Sequence, residues 1–256
     1  MASAVGPDII ADGLVLSIDP ASLRTNPSSG GTALNNFAGN SGIGGTVING
    51  TTSADIVTLD GTNDYITIAG SVTNAELSPA SATFSIWFRA HAGSFSCSNI
   101  CSLISRGNYN NSGGFFIHMQ RGGSGQCTVS ATFSYSPSSS YTFQGTNYYI
   151  ANPFGEWNNA TVTVDSNIKL YLNGVLKQTV ARSYTEIMYG NGTINTNGDT
   201  DLRFCTALSY APTLNQGVGG SWRPFNGDFG LGLMYNKVLT GDEVIQNYNA
   251  QKKRFI

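Results

Sequence analysis

Residues 160–181 read ATVTVDSNIKLYLNGVLKQTVA, and this stretch decides the fold class. Small and apolar residues alternate with polar ones on either side of the triplet 165–167, which is the period-2 pattern of half-buried strands. The triplet itself, Asp-Ser-Asn, favours a turn, and Asn173-Gly174 supplies the two positive-φ residues of a type I′ hairpin turn. The stretch therefore predicts a three-strand antiparallel meander with one face in a core.

Similar patterns on both sides of the meander predict an all-β chain. They occur at residues 13–19, 46–48, 56–59, 65–68, 83–90, 101–106, 114–121, 128–135, 201–206 and 225–235. Residues 60–64, DGTND, favour a tight turn, so we interpret 56–59 and 65–68 as a hairpin. Residues 83–90 carry apolar side chains on both faces, which indicates a central strand. The Tyr-rich segment 136–157 is interpreted as a long irregular insertion, more typical of a functional surface or an interface than of a connector.

The C-terminal region changes from strand to helix patterning. Thr240 followed by Glu243 is a capping-box motif, and it predicts a short helix that continues to Ala250. The residues predicted to form its apolar face are Val244, Ile245 and Tyr248. The basic cluster 252–254 is typical of a solvated helix end, with docking to an acidic partner as the alternative.

Composition limits both the domain organisation and the partners. We expect Met1–Ala11 to form an N-terminal arm and residues 12–256 to form a single domain, because no linker-like shift divides the chain. Charged residues make up 11% of the chain, well below the roughly 25% usual for soluble domains. The net charge of −2 with scattered Lys and Arg argues against nucleic-acid binding. No apolar run or basic leader pattern predicts membrane insertion or ordinary export, so we expect synthesis in a cytoplasm.

The residues needed for catalysis are sparse. Glycoside hydrolysis requires two carboxylates about 5 to 10 Å apart. The four glutamates are Glu76, Glu156, Glu186 and Glu243, and no two lie within 29 residues of each other. Neither His91 nor His118 follows a nucleophile motif. Four cysteines, with Cys97 and Cys101 as the one close pair, are too few for a disulfide scaffold, and zinc is not expected. The sequence therefore predicts a protein that is not an enzyme.

Four segments, in this order, carry a family resemblance. They are VTLDGTNDYITI (57–68), SATFSIWFRA (81–90), EWNNATVTVDSNIKLYLNGVLKQ (156–178) and FNGDFGLGLMYNKVLTGDEVIQNYNA (225–250). The chain resembles laminin-G-like domains of the concanavalin A-like lectin/glucanase superfamily. This resemblance implies a jelly-roll β-sandwich of two antiparallel sheets with one short C-terminal helix.

The last of these segments is similar to versions found in structural proteins of tailed bacteriophages. This implies a non-enzymatic virion structural protein: a capsid decoration, an appendage or a tail-associated subunit. Such a protein would be made in the host cytoplasm, act at the virion surface as a homo-oligomer with other virion proteins as partners, and adhere to glycans. The alternatives are a free bacterial carbohydrate-binding lectin and an unusual glycoside hydrolase.

Glycan binding requires aromatic rings beside amide, hydroxyl or charged groups, usually on loops. The candidate residues are Tyr141, Tyr148, Tyr149, Asn152, Trp222 and Arg223. The alternative is that these aromatic residues, with Phe154 and Trp157, pack in the core, under the loop or against a neighbouring subunit.

The resemblance also implies a calcium site, since laminin-G-like domains often hold one calcium ion through oxygen ligands. The candidates are Asp60, Asn63 and Asp64, with Asp19 brought near by strand pairing. The alternative, which the low number of carboxylates favours, is that they only form the turn. No other cofactor is expected.

Overall fold

The predicted strands form two antiparallel sheets packed face to face. The computed structural model describes residues 8–22, 31–38, 43–53, 55–68, 77, 79–92, 100–108, 113–121, 127–135, 142–150, 153–182, 201–208, 221–222 and 224–256. The strands of the first half are β1 (Leu14–Ile18), β2 (Ala33–Asn35), β3 (Gly44–Ile48), β4 (Thr51–Thr52), β5 (Val57–Asp60), β6 (Tyr65–Ile68), β7 (Ala82–Ala90), β8 (Ile100–Asn108) and β9 (Gly113–Arg121). Those of the second half are β10 (Cys127–Tyr135), β11 (Thr142–Ile150), β12 (Trp157–Val164), β13 (Asn167–Leu172), β14 (Val175–Ala181), β15 (Leu202–Phe204), β16 (Ala207–Leu208), β17 (Ser221–Trp222) and β18 (Asn226–Tyr235), and helix α1 spans Gly241–Phe255.

The strand order confirms the predicted sandwich. The eight-stranded sheet runs β14-β13-β12-β7-β18-β5-β4, with β1 also paired to β18. The ten-stranded sheet runs β11-β10-β9-β8-β15-β6-β3-β2, with the short β16 and β17 beside β8. The one parallel contact among the described strands joins Leu208 of β16 to Asn108. The main core lies between the sheets, where Phe84 of β7 meets Phe115 of β9 with ring centroids 4.5 Å apart.

The meander that decided the fold class is β12-β13-β14. Ala160 pairs with Leu172 and Val162 with Leu170, so the apolar phase of both strands faces the core. Asn173 and Gly174 have φ values of 52° and 76°, which confirms the predicted positive-φ turn. Residues 82–90 are confirmed as a central strand, since β7 lies between β12 and β18.

The predicted hairpin of residues 56–68 is wrong. β5 pairs with β18 in the eight-stranded sheet, whereas β6 pairs with β3 and β15 in the ten-stranded sheet. The turn between them carries the chain from one sheet to the other, and Gly61 has φ +77° there. The alternation is real, because Leu59 and Ile66 are both buried in the main core. Alternation indicates which side chains face a core, but not from which sheet they do so.

The predicted irregular insertion 136–157 is also wrong, because it contains β11, the edge strand of the ten-stranded sheet. β11 pairs with β10 from Cys127↔Ile150 to Tyr135↔Thr142. A Cβ atom at Gly145 would lie 2.1 Å from the carbonyl oxygen of Ala131, so this pairing needs a glycine. The polar, glycine-containing composition of an edge strand hides it from a search for apolar alternation.

Helix α1 packs on the outer face of the eight-stranded sheet. The capping box is confirmed: Glu243 N donates to Thr240 Oγ1, and Thr240 N donates to Glu243 Oε2. The helix continues to Phe255 rather than ending at Ala250. Ile245 was predicted on the apolar face but is 45% exposed, and Asn247 is buried instead. Asn247 takes this place because its side chain donates to the hydroxyl of Tyr235 and accepts from the backbone N–H of Ile10.

The described part of the predicted arm, residues 8–11, lies against this helix. Gln246 Nε2 donates to the carbonyl oxygen of Asp8 at 2.9 Å, and Ile10 packs on the small core under α1. Residues 1–7 of the predicted arm lie outside the described residues. In the described part of the chain, no helix is both long and apolar enough to cross a membrane.

Candidate functional site

The six predicted glycan-binding residues fall into two groups. Tyr141, Asn152 and Arg223 lie outside the described residues, and Trp222 is described only as a backbone position in β17. Tyr148 and Tyr149 are consecutive residues of β11, and they therefore point to opposite faces of the sheet.

Tyr148 faces the interior. Its ring is partly buried and packs against the main core. Lys177 Nζ from β14 lies 5.0 Å from its ring centroid, a cation–π distance. Tyr148 therefore helps to close the edge of the sandwich where β11 meets β14.

Tyr149 faces outward and is 61% exposed, the most exposed aromatic residue among those described. Asn147, two residues before Tyr149 on β11, is exposed on the same face. Tyr149 pairs with Thr128 of β10, and Thr128 pairs with Gln120 of β9, so these three side chains also share that face. We call this surface the Tyr149 platform. Its residues are Gln120, Thr128, Ser130, Asn147 and Tyr149.

The amide of Asn147 has a defined orientation. Ser130 Oγ donates to Asn147 Oδ1 at 2.9 Å, which leaves the Nδ2 group as a donor without a partner in the described chain. The backbone N–H of Asn147 donates to Gln178 Oε1 of β14. This contact fixes β11 and satisfies one donor of an edge strand, which would otherwise be open to pairing with another chain.

Sequence reasoning missed the partners of Tyr149 on this platform. Thr128 and Ser130 occupy the polar phase of β10, which the alternation in TVSATFSY does display. Only the pairing of β10 with β11 places that phase beside Tyr149. His118 lies on the same face as the platform, opposite Ser130, and is 4% exposed. Its ring stacks on that of Phe116 with the centroids 4.1 Å apart, which indicates a packing role.

The calcium candidates form a hydrogen-bonded turn. Asp64 Oδ2 accepts from Asp60 N at 2.9 Å, and Asp60 Oδ1 accepts from Thr62 N at 2.7 Å. Burial raises the pKa of Asp64, which disfavours the anion that a hard cation needs. The described residues contain no cluster of three or more His, Cys, Asp or Glu suited to a metal. These contacts account for Asp60 and Asp64 as turn formers, and the calcium site stays a prediction.

Asp19 does not join this turn. Along β18, Ile18 pairs with Gly232 and Asp60 with Asn226, which separates Asp19 from Asp60 by roughly 15–20 Å at about 3.3 Å per residue. Asp19 instead accepts from Arg254 Nη1 at 2.6 Å. The sequence predicts a solvated basic end for α1, but Arg254 is bonded to Asp19 and holds the end of the helix to the sheet.

A family model describing the concanavalin A-like lectin/glucanases superfamily, in its laminin-G-like form, matches residues 60–245. The chain belongs to this superfamily. The match spans strands from both sheets, including β11 and the platform. No characterised protein matches the sequence.

Solved structures share the lectin-like fold at low identity. The Ruminococcus gnavus sialidase module CBM40, solved bound to α2,3-sialyllactose, is similar with TM-score 0.56 and 17% identity, over 75% of this chain and 95% of that one. The botulinum neurotoxin serotype D binding domain gives TM-score 0.63 and 15% identity over 94% of this chain. The binding domain of botulinum neurotoxin DC in complex with rat synaptotagmin II gives 0.62 and 16% over 94% of this chain. This chain spans about half of the two toxin domains, 53% and 52%.

The lectin-like domain also contains an ion cluster that sequence reasoning missed. Asp228 of β18 is 1% exposed and accepts from Arg89 Nε at 2.8 Å, His91 Nε2 at 2.7 Å and Thr58 Oγ1 at 2.8 Å. Arg89 in turn lies over the ring of Trp157, 5.1 Å from its centroid. These hydrogen bonds join β18 to β5 through Thr58, and to β7 and the residue after it through Arg89 and His91. The cluster therefore has a structural role.

A groove of about 280 Å³ lies where α1 meets β1. It is lined by Ile9, Ser17, Asp19, Ser22, Phe37, Leu231, Ala250, Gln251, Arg254 and Phe255. Its polar wall is the Arg254–Asp19 ion pair, and its apolar floor includes Phe255, which anchors the helix. We assign this groove to the docking of α1.

Proposed function

We propose that this domain is a non-catalytic glycan-binding module and that the Tyr149 platform is its sugar site. The observation that carries the proposal is the exposed ring of Tyr149 beside the oriented amide of Asn147. A pyranose ring has an apolar C–H face and a rim of hydroxyl groups. The tyrosine ring suits the face, and the Nδ2 donor of Asn147, which has no partner among the described residues, suits the rim.

The platform requires little ordering on binding. Tyr149 and Asn147 stand on a strand that is paired with β10 throughout and braced from β14 by Gln178. Groups held on a rigid element lose less conformational entropy on binding than groups on a loop. This compensates for the small number of polar contacts.

The similarity to CBM40 supports a sugar-binding role by fold analogy alone, because this superfamily includes binders, hydrolases and structural modules. We propose that the domain is not catalytic because its described glutamates do not form the pair of carboxylates that a glycoside hydrolase needs. Of the two described, Glu243 is engaged in the capping box and Glu156 lies just before β12, so they do not form a pair on one strand.

At a finer level, we propose that residues 12–256 act as one module of a tailed-phage virion protein at the particle surface. The support is the similarity of the segment 225–250 to phage structural proteins and the low charge, which suits lasting protein contacts. The proposed partners are further copies of the chain and other virion proteins. Co-purification with particles and a closed oligomer in light scattering are expected; absence from purified particles would contradict this role.

The sugar site is tested by glycan-array screening followed by calorimetry with the best ligand. Tyr149→Ala should weaken binding about fivefold or more, since stacking on an exposed aromatic ring contributes on the order of 1 kcal/mol or more. Tyr149→Phe should keep most of the affinity. Phe37→Ala is the matched control, because Phe37 is another exposed aromatic residue, 44% exposed, in the α1 groove. Unchanged binding by Tyr149→Ala would overturn the proposal.

A further inference from the structure

The face that carries Tyr149 continues across the strands beyond β9. Tyr149 pairs with Thr128 of β10, and Thr128 pairs with Gln120 of β9. Gln120 in turn pairs with Ile100 of β8. Paired residues point to the same face, so these four side chains form one row at right angles to the strands, which we call the cross-strand row. At about 4.8 Å per strand it extends roughly 10 Å from Tyr149 to Gln120 and roughly 14 Å to Ile100, which is longer than one pyranose ring.

The side chains of the cross-strand row differ in height above the sheet. Thr128 is 4% exposed, and its hydroxyl donates to the backbone carbonyl oxygen of Gln120 at 3.3 Å, so it forms a low floor. Tyr149 and Gln120 are exposed on either side of it, and Ile100 is half-buried. The row therefore presents an aromatic ring, an amide and an apolar side chain in that order.

This order of groups suits several sugar units better than one. Each unit of a linear glycan chain presents a C–H face and a rim of hydroxyl groups. With one unit on the ring of Tyr149, a chain that crosses the strands brings later units to Gln120 and Ile100. The amide of Gln120 both donates and accepts hydrogen bonds, which matches a hydroxyl rim, and Ile100 matches a C–H face.

The cross-strand row carries no charged side chain. Arg121, the residue after Gln120, pairs with Cys127 of the main core and so belongs to the opposite face. Arg203 of β15 does belong to the outer face, but it is 3% exposed and its guanidinium lies over the ring of Tyr65, 4.8 Å from the centroid. An acidic sugar unit would lose water on this row without meeting a cation, which favours uncharged sugars.

We infer that the Tyr149 platform binds internal stretches of an uncharged linear polysaccharide, with the chain lying across β11, β10, β9 and β8. The inference rests on the glycan-binding function proposed above. Gln120 and Ile100 hold the units that follow the one on Tyr149, and they make the site selective for chain length. Affinity should rise about tenfold from a monosaccharide to a trisaccharide, because these two contacts are added, and then level off.

The test is a titration followed by NMR, which measures weak binding. The probes are cello-, malto- and laminari-oligosaccharides from the monosaccharide to the hexasaccharide, with oligogalacturonides of the same lengths as charged counterparts. At least one neutral series should show the rise in affinity with length. The oligogalacturonides should bind more weakly than that series.

Variants locate the added contacts. Gln120→Ala should weaken trisaccharide binding about fivefold and leave monosaccharide binding unchanged. Ile100→Ala should likewise weaken binding of the longer chains only. Tyr149→Ala should weaken binding at every length. Gln246→Ala is the matched control, because Gln246 is an exposed glutamine on α1, which packs on the other sheet.

The outcomes separate this inference from the proposed function. Trisaccharide binding no tighter than monosaccharide binding, or tighter binding of oligogalacturonides, would overturn the inference, and the sugar site would stand if Tyr149 were still required. An equal loss in Gln120→Ala and Gln246→Ala would also overturn it. If only other arrayed glycans bind, and they need Tyr149, the inference fails and the proposed function stands. No binding to any oligosaccharide or arrayed glycan would overturn both.

Discussion

Trp87 of β7 and Phe255 of α1 stack with ring centroids 4.4 Å apart and an interplanar angle of 18°. Tyr248 stacks on Trp87 at 5.5 Å, and Trp157 contacts Phe255 at 4.8 Å. This aromatic group joins the central strand of the eight-stranded sheet to the last turn of the helix. A segment at the end of the chain is thereby made part of the fold.

Phe255→Ala should destabilise the protein by about 2 kcal/mol, less than the 3–5 kcal/mol of a fully buried Phe because Phe255 is only partly buried. The measurement is the free energy of unfolding in guanidinium chloride. Ile256→Ala is the control, because Ile256 is 71% exposed and its truncation should cost under about 0.5 kcal/mol. Equal effects of the two variants would contradict the anchoring role of Phe255.

Asp228→Asn should destabilise the protein by roughly 2–3 kcal/mol, because the amide cannot accept hydrogen bonds from Arg89, His91 and Thr58 as the buried carboxylate does. Asp12→Asn breaks an ion pair to Lys237 in which Asp12 is 85% exposed, and it should cost under about 1 kcal/mol. Urea unfolding of both variants tests the difference. If Asp228→Asn lowers the free energy of unfolding no more than Asp12→Asn does, the cluster does not stabilise the fold.

Glu243 should contribute a pH-dependent stability. The hydrogen bond that it accepts from the backbone N–H of Thr240 lowers its pKa below the ordinary value of 4.5. The hydrogen bond and positive charge of Lys237 lower this pKa further. A carboxyl group whose folded pKa is depressed stabilises the fold above its unfolded pKa, and this contribution is lost as pH falls through the lower folded pKa. Glu243→Gln should therefore cost about 0.5–1 kcal/mol at pH 7 and nearly nothing in strong acid. A cost that is the same at both pH values would contradict this.

The three described cysteines should be unreactive in the native protein. Burial raises the pKa of the Cys101, Cys127 and Cys205 thiols, and all three are buried as free thiols. In a Cys97→Ser background, their reaction with a thiol reagent at pH 8 should be at least roughly 100-fold slower in buffer than in denaturant. Rapid labelling of the folded protein would show that the core opens readily.

Millimolar calcium should leave the melting temperature unchanged, because Asp60 and Asp64 are engaged in turn hydrogen bonds. A site filled at 100 times its Kd would add about 2.7 kcal/mol of stability and a clear rise in melting temperature. Magnesium serves as the control for general ionic effects. A rise specific to calcium and abolished by Asp60→Asn would support the predicted calcium site.

Local chemistry explains which features were predictable from sequence. The Asn173-Gly174 turn and the Thr240 capping box are set by residues within a few positions of each other, and both were predicted correctly. The exposed ring of Tyr149 was among the predicted candidates, but on an irregular loop. Its platform could not be predicted, because its members come from β9, β10 and β11.

The sequence by itself determined the all-β class, the core-facing phase of most strands, the capped C-terminal helix and the resemblance to lectin-like domains. Only the tertiary structure decided that β5 and β6 belong to different sheets, that β11 is an edge strand, and that Thr128, Asn147 and Tyr149 share one face. The physical reason is that side-chain alternation reports burial of a face, whereas sheet membership depends on pairing between distant segments. The proposed function depends on that pairing.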